Sequence, residues 1–108
     1  MSGVTGTKAA VCNGVYVRVE GLYNEHALFQ NVVYSNMWTR FTKYNYWCVS
    51  TTEDKDANEI YGIVYSVDTG LTLPTLCTLW RVLVDGKFDV QASIRVTPAS
   101  EQVGAALE

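Results

Sequence analysis

Residues 78–97 read TLWRVLVDGKFDVQASIRVT, and their period is two. From Phe88 to Thr97, Phe88, Val90, Ala92, Ile94 and Val96 alternate with Asp89, Gln91, Ser93, Arg95 and Thr97. Successive side chains of an extended chain point to opposite sides, so this spacing predicts a strand with one buried face. Upstream, over Thr78 to Val84, Trp80, Val82 and Val84 alternate with Leu79, Arg81 and Leu83. Asp85-Gly86 separates the two runs and accepts positive φ at little cost, so the stretch predicts an antiparallel hairpin with its apolar sets toward a core.

The same signal recurs toward the N-terminus. Val15, Val17 and Val19 alternate with Tyr16, Arg18 and Glu20, and Gly21 ends the run. Ala27 to Tyr34, Trp38 to Tyr44, Tyr46 to Thr51 and Ile60 to Val67 are rich in Val, Ile, Thr, Tyr and Trp, and turn-prone Asn and Ser separate them; these are strand compositions. Thr52 to Glu59 is polar and charged and predicts an exposed loop, with room for one helical turn over Asp54 to Glu59. Asp68-Thr69-Gly70 and Pro74 make Ser66 to Cys77 a turn followed by an edge segment, since proline cannot donate to a central ladder. The expected fold is all-β, an antiparallel sandwich or small barrel of about seven short strands.

The 108 residues suit one domain, expected over residues 11–97, and 48% of them are hydrophobic. Residues 1–10 and 98–108 are rich in Ser, Ala and Gly and are expected to be flexible, with Leu107-Glu108 as a cloning scar on an excised domain. A net charge of −3 gives no electrostatic reason to approach nucleic acid or an anionic membrane surface. The stretch from Leu71 to Val84 is broken by Pro74, several Thr and Arg81, so no membrane span is expected. Cys12, Cys48 and Cys77 form no clustered thiolate motif, and free thiols in a cytoplasmic setting are the expectation.

Catalytic parts are sparse. His26 is the single histidine, in the turn Tyr23 to His26, and no Gly-x-Ser-x-Gly elbow, phosphate loop or paired-His helix accompanies it. The expectation is no enzyme and no cofactor, with His26 a solvated turn residue. Asp54, Asp56 and Asn58 reproduce the first half of a calcium loop, but Glu59 stands where the glycine bend belongs and Tyr65 where the bidentate Glu belongs. A solvated loop is the plainer reading, so these three are a weak metal candidate.

Aromatic density marks the middle of the chain, where Tyr34, Trp38, Phe41, Tyr44, Tyr46 and Trp47 fall close together. Period two splits this set between two sheet faces, and Trp47 and Trp80, each followed by x-Val, read as core plugs. Trp38, Tyr34 and Tyr44 remain candidates for a platform that stacks on a carbohydrate or other flat ligand. Arg40, with Lys43 beside it, and the turn residues Asn24 and His26 complete the candidate binding set. For Arg40 and Lys43 the alternative is an ordinary exposed basic pair.

Asn13 to Phe29, NGVYVRVEGLYNEHALF, followed by Trp47-x-Val and Trp80-x-Val, resembles small all-β modules found in several copies in large multidomain proteins of single-celled eukaryotes. Gly14, Tyr16, Gly21, Asn24, Phe29, Trp47 and Trp80 match that pattern, whereas Glu25 and Ala27 stand where it prefers Gly and Pro. The resemblance spans Val11 to about Val96 and implies a non-catalytic interaction module. The expected function is therefore protein interaction or scaffolding through sheet edges and loops. The free edges are expected at the Pro74 segment and at Ala27 to Tyr34, with Leu22 to His26 and Thr52 to Glu59 setting specificity and another protein or a second copy as partner. The alternative is the carbohydrate or small-ligand module.

Overall fold

The computed structural model describes residues 1–6, 8–84 and 86–97. Seven antiparallel strands lie in one open sheet in chain order: β1 (Tyr16–Arg18), β2 (Phe29–Asn31), β3 (Met37–Phe41), β4 (Trp47–Thr51), β5 (Val64–Ser66), β6 (Trp80–Val84) and β7 (Lys87–Gln91). Two short helices, α1 (Ala9–Cys12) and α2 (Thr52–Asp56), and a 3₁₀ turn at Pro74–Leu76 accompany them. The all-β expectation and the strand number hold, and no strand has a partner across a parallel crossover.

Residues directly opposite in antiparallel strands share a face, so the register sorts the side chains. One face carries Phe29, Met37, Thr39, Phe41, Trp47, Val49, Val64, Trp80 and Val82, and it is the core side. Trp47 and Trp80 are fully buried there, as their Trp-x-Val settings predict. The opposite face carries Gln30, Trp38, Arg40, Cys48, Ser50, Tyr65, Arg81 and, on β7, Phe88 and Val90. Over β3 and β4 this second face is roofed by the segment from α2 to Gly62; over β6 and β7 it is open.

Several expectations are corrected. The strand expected over Phe88 to Thr97 ends at Gln91 and is turned over: Phe88, Val90 and Ala92 face solvent. The register forces this, since Val82 on the core face stands opposite Asp89 and Leu83 stands opposite Phe88. Ile94 does reach the core, but through the stretch that follows the strand. In β1, Tyr16 packs against the core and Val17 is exposed. Pro74 is buried at the head of the 3₁₀ turn and edges no sheet. The strand expected at Ala27 to Tyr34 shortens to β2 and lies between β1 and β3, so among the described residues the free edges are β1 and β7. Asp85, of the expected Asp85-Gly86 turn, and the tail from residue 98 lie outside the described residues.

The first residues are packed, against the expectation of flexibility. Met1 and Val4 belong to the core cluster. Met1 exchanges two hydrogen bonds with Gly14 just before β1, and Ser2 exchanges two with Arg95 beyond β7. This strap ties the β1 end of the sheet to the β7 end. Gly3 is required in it: φ is +82°, and a Cβ would stand 2.0 Å from the carbonyl oxygen of Ser93.

Candidate functional site

Three local arrangements stand out, and two of them hold candidate residues. The first is buried. Arg40 is read from the sequence as a surface base, yet it is 0% exposed. Its Nε donates to Ser50 Oγ at 2.7 Å, Nη2 to the carbonyls of Glu59 and Tyr61 (3.0 Å to the latter), and Nη1 to Tyr23 Oη at 3.4 Å. A guanidinium offers five donors in a rigid fork, which suits carbonyls converging from a loop. Arg40 thus fastens the segment after α2 to the sheet. No carboxylate pairs with it among the described residues, where Lys55–Asp56 is the one ion pair.

The expected specificity loops are joined to each other. The single proton of Tyr23 Oη lies between two acceptors, the Lys55 carbonyl at 2.7 Å and Asn58 Oδ1 at 3.0 Å; Asn24 Nδ2 donates to Asn58 Oδ1 and to the Phe41 carbonyl. Asn58 is therefore taken up by the turn and does not converge with Asp54 and Asp56, and Asp56 pairs with Lys55 at 2.6 Å. No cluster of three acidic, His or Cys side chains able to hold a metal occurs among the described residues. Thr52–Asp56 is helical because Thr51 caps it, accepting from the Asp54 amide, with Glu53 and Asp54 in its first turn.

The second arrangement is a shallow cavity of about 320 Å³ lined by Asn24, Glu25, His26, Phe41, Lys43 and Asn45 among others. Two hairpin tips form it. Tyr23 and His26 exchange backbone hydrogen bonds around Asn24 (φ +50°) and Glu25 (φ +67°), a two-residue turn with both central residues left-handed. His26 is no freely solvated turn residue: its ring stacks on Phe41 at 3.7 Å between centroids and meets Trp47 edge-on at 5.9 Å. Its Nδ1 lies 2.8 Å from the Asn24 carbonyl, an acceptor, so this contact takes Nδ1 as the donor.

The aromatic platform does not assemble as expected. Tyr34 and Tyr44 lie in turns at opposite ends of β3, and Trp38, between them, is half-buried beneath α2. Lys55 Nζ sits 4.4 Å above the Trp38 ring and Trp38 Nε1 donates to Thr52 Oγ1 at 2.7 Å.

A different set of rings forms the third arrangement, on the open second face. Tyr46, Tyr65 and Phe88 make an edge-to-face ladder with centroid separations of 5.3 and 5.0 Å, and the Arg81 guanidinium lies 5.9 Å from the Tyr65 ring centre and 5.7 Å from that of Phe88. Leu83 is 37% exposed, Phe88 46% and Val90 56%. Sequence reasoning misses this patch because it assigns the apolar side of β7 to the core; the alternation is right and the face is reversed.

The cysteines are free and buried. Loss of hydration pushes all three thiols up to about 11, so they remain protonated at neutral pH and are poor nucleophiles. Compared with known proteins, the chain matches no family model, no curated protein and no solved structure. The class that fold and site define is an all-β domain of seven antiparallel strands with an open apolar-aromatic face at its β7 edge. No helix among the described residues is long and apolar enough to cross a membrane.

Proposed function

We propose that the domain is a non-catalytic protein-interaction module, working through the β7 edge and the joined loops Leu22 to His26 and Thr52 to Glu59. The observation that carries this reading is the exposed pair Phe88 and Val90 on the edge strand β7, with exposed Leu83 beside them on β6, continuous with the Tyr46–Tyr65–Phe88 ladder. An apolar patch on an edge favours partners that add a strand or cover a sheet face. The scaffolding role implied by the module resemblance fits the same reading, and three free thiols support a cytoplasmic setting.

The test is capture of partners by the immobilised domain. Replacing Phe88 by Ser together with Val90 by Thr should abolish specific retention while leaving the unfolding midpoint within a few degrees. Identical proteins retained by wild type and variant, or none by either, would overturn the reading.

The small-ligand alternative moves away from Trp38 and rests on the cavity of Glu25, His26, Lys43 and Asn45, where hydrogen-bonding side chains that suit sugar hydroxyls line the space. A glycan screen against wild type and a His26→Ala variant separates it from the first: binding lost in the variant supports it, and no binding by wild type removes it.

A further inference from the structure

The free edge of β7 is self-complementary, and we infer that the chain forms a two-fold dimer by antiparallel pairing of β7 with β7 of a second copy, in the register that places Phe88 opposite Phe88. This inference rests on the interaction reading above and names its partner. Three observations fix the register.

The first is the direction of the backbone groups. The Leu83 amide donates to the Ile63 carbonyl on the β5 side at 2.8 Å. In an antiparallel strand the N–H and C=O of one residue point to the same side, so Leu83 turns its pair away from β7. Its opposite number, Phe88, stands in a non-hydrogen-bonded pair with it and turns its own N–H and C=O outward; Val90, two residues on, does the same. Lys87, Asp89 and Gln91 spend theirs on β6. A symmetric antiparallel pairing can centre on Phe88 or Val90, which then exchange bonds with their own copies, or on Lys87 or Asp89, which would set like charges opposite each other and are thereby disfavoured; the first two remain.

Charge then chooses between the two. Centred on Phe88, Lys87 falls opposite Asp89 of the second copy and Asp89 opposite its Lys87, in the closer, non-hydrogen-bonded type of pair. Centred on Val90, Asp89 meets Gln91 and Lys87 meets Ser93, and no ion pair forms. Within one copy neither Lys87 nor Asp89 has an ion-pair partner among the described residues. An edge lysine alone is a common guard against strand addition; here the acid that complements it lies two residues away on the same face.

The third observation is access. Lys87, Phe88, Asp89 and Val90 are all exposed, and among the described residues the N-terminal strap bonds to β7 only at Gln91, whose side chain exchanges hydrogen bonds with the Thr5 backbone. Pairing aligns the Phe88 rings of the two copies and joins the two Tyr65–Phe88–Arg81 faces into one apolar-aromatic strip.

A contact of this size is small, so association is expected at concentrations on the order of tens to hundreds of micromolar. The experiment is sedimentation equilibrium of the purified chain at rising concentration, with Lys87→Asp, Asp89→Lys and the double swap. By symmetry each single change replaces both ion pairs with like charges, so each should weaken dimerisation at least about tenfold. The swap restores both pairs and should return it to within about threefold of wild type. A wild type monomeric throughout, single variants that dimerise normally, a swap as weak as the singles, or oligomers that grow without limit would each overturn the proposal. A monomeric chain that still captures a partner through Phe88 and Val90 would fail this inference and leave the wider reading standing.

Discussion

Arg40 Nη2 donates to the carbonyl of Tyr61 at 3.0 Å, from a side chain that emerges on β3 and is wholly buried beneath the segment it holds. The bond joins sheet and roof across the second face. Its loss leaves the carbonyls of Glu59 and Tyr61 and the hydroxyl of Ser50 without their donor. Arg40→Met, which keeps the stem but removes the fork, should cost about 2–4 kcal/mol. Urea denaturation reads the loss, and amide exchange should rise first over residues 55–62. A variant as stable as wild type would mean that the roof is held by packing alone.

Glu25 has φ +67°, a conformation that costs a residue with a Cβ about 1 kcal/mol relative to glycine. Glu25→Gly should therefore raise stability by about 0.5–1 kcal/mol, seen as a higher thermal midpoint. A fall in stability would show that the Glu25 side chain holds a contact that outweighs the strain.

Gly3→Ala makes the opposite prediction. Its Cβ would collide with the Ser93 carbonyl, so the strap must lift from Arg95 and draw Met1 and Val4 from the core. A loss of about 2 kcal/mol or more is expected in thermal or urea unfolding. Gly21→Ala, also at positive φ but with no atom near the added methyl, should cost less.

Alkaline stability follows the thiols. Cys12, Cys48 and Cys77 are raised from the ordinary value near 9 to about 11, with desolvation the leading cause. Below pH 9 folded and unfolded chains both keep these protons. Above it the unfolded chain releases them and the folded one does not, so stability should decline between about pH 9 and 11. Tyr65, pushed up to about 12 by burial, extends the decline. In the native state at pH 8, thiol labelling should proceed only as fast as the chain opens. Rapid reaction of any cysteine would contradict the buried positions.

Asp68 governs the acid side. Its carboxylate accepts from the Thr78 amide at 2.7 Å and the Leu79 amide at 3.2 Å, and these bonds lower its pKa. The stabilisation is present above the ordinary carboxylate value and is lost as pH falls through the lowered one. Asp68→Asn should be less stable than wild type at neutral pH, with the two curves converging in strong acid. A gap independent of pH would assign the effect to shape rather than charge.

Alternation in the sequence determined the strands, the β6–β7 hairpin and the burial of Trp47 and Trp80, because an extended chain has a period that composition reveals directly. Period two also set Trp38 on the face opposite Phe41. It did not decide what covers each face. Period two distinguishes two sides of a strand and is blind to which side meets the rest of the chain. Phe88 and Val90 are apolar and face water because the register with Leu83 and Arg81 sets their side, and Arg40 is charged and buried because a segment twenty residues downstream supplies its carbonyls. The packing of Met1 and Val4 likewise depends on Gly14 and Arg95, distant in sequence and brought together only when the sheet has formed. Local spacing fixes which residues share a face; the tertiary contacts assign that face to core, roof or solvent.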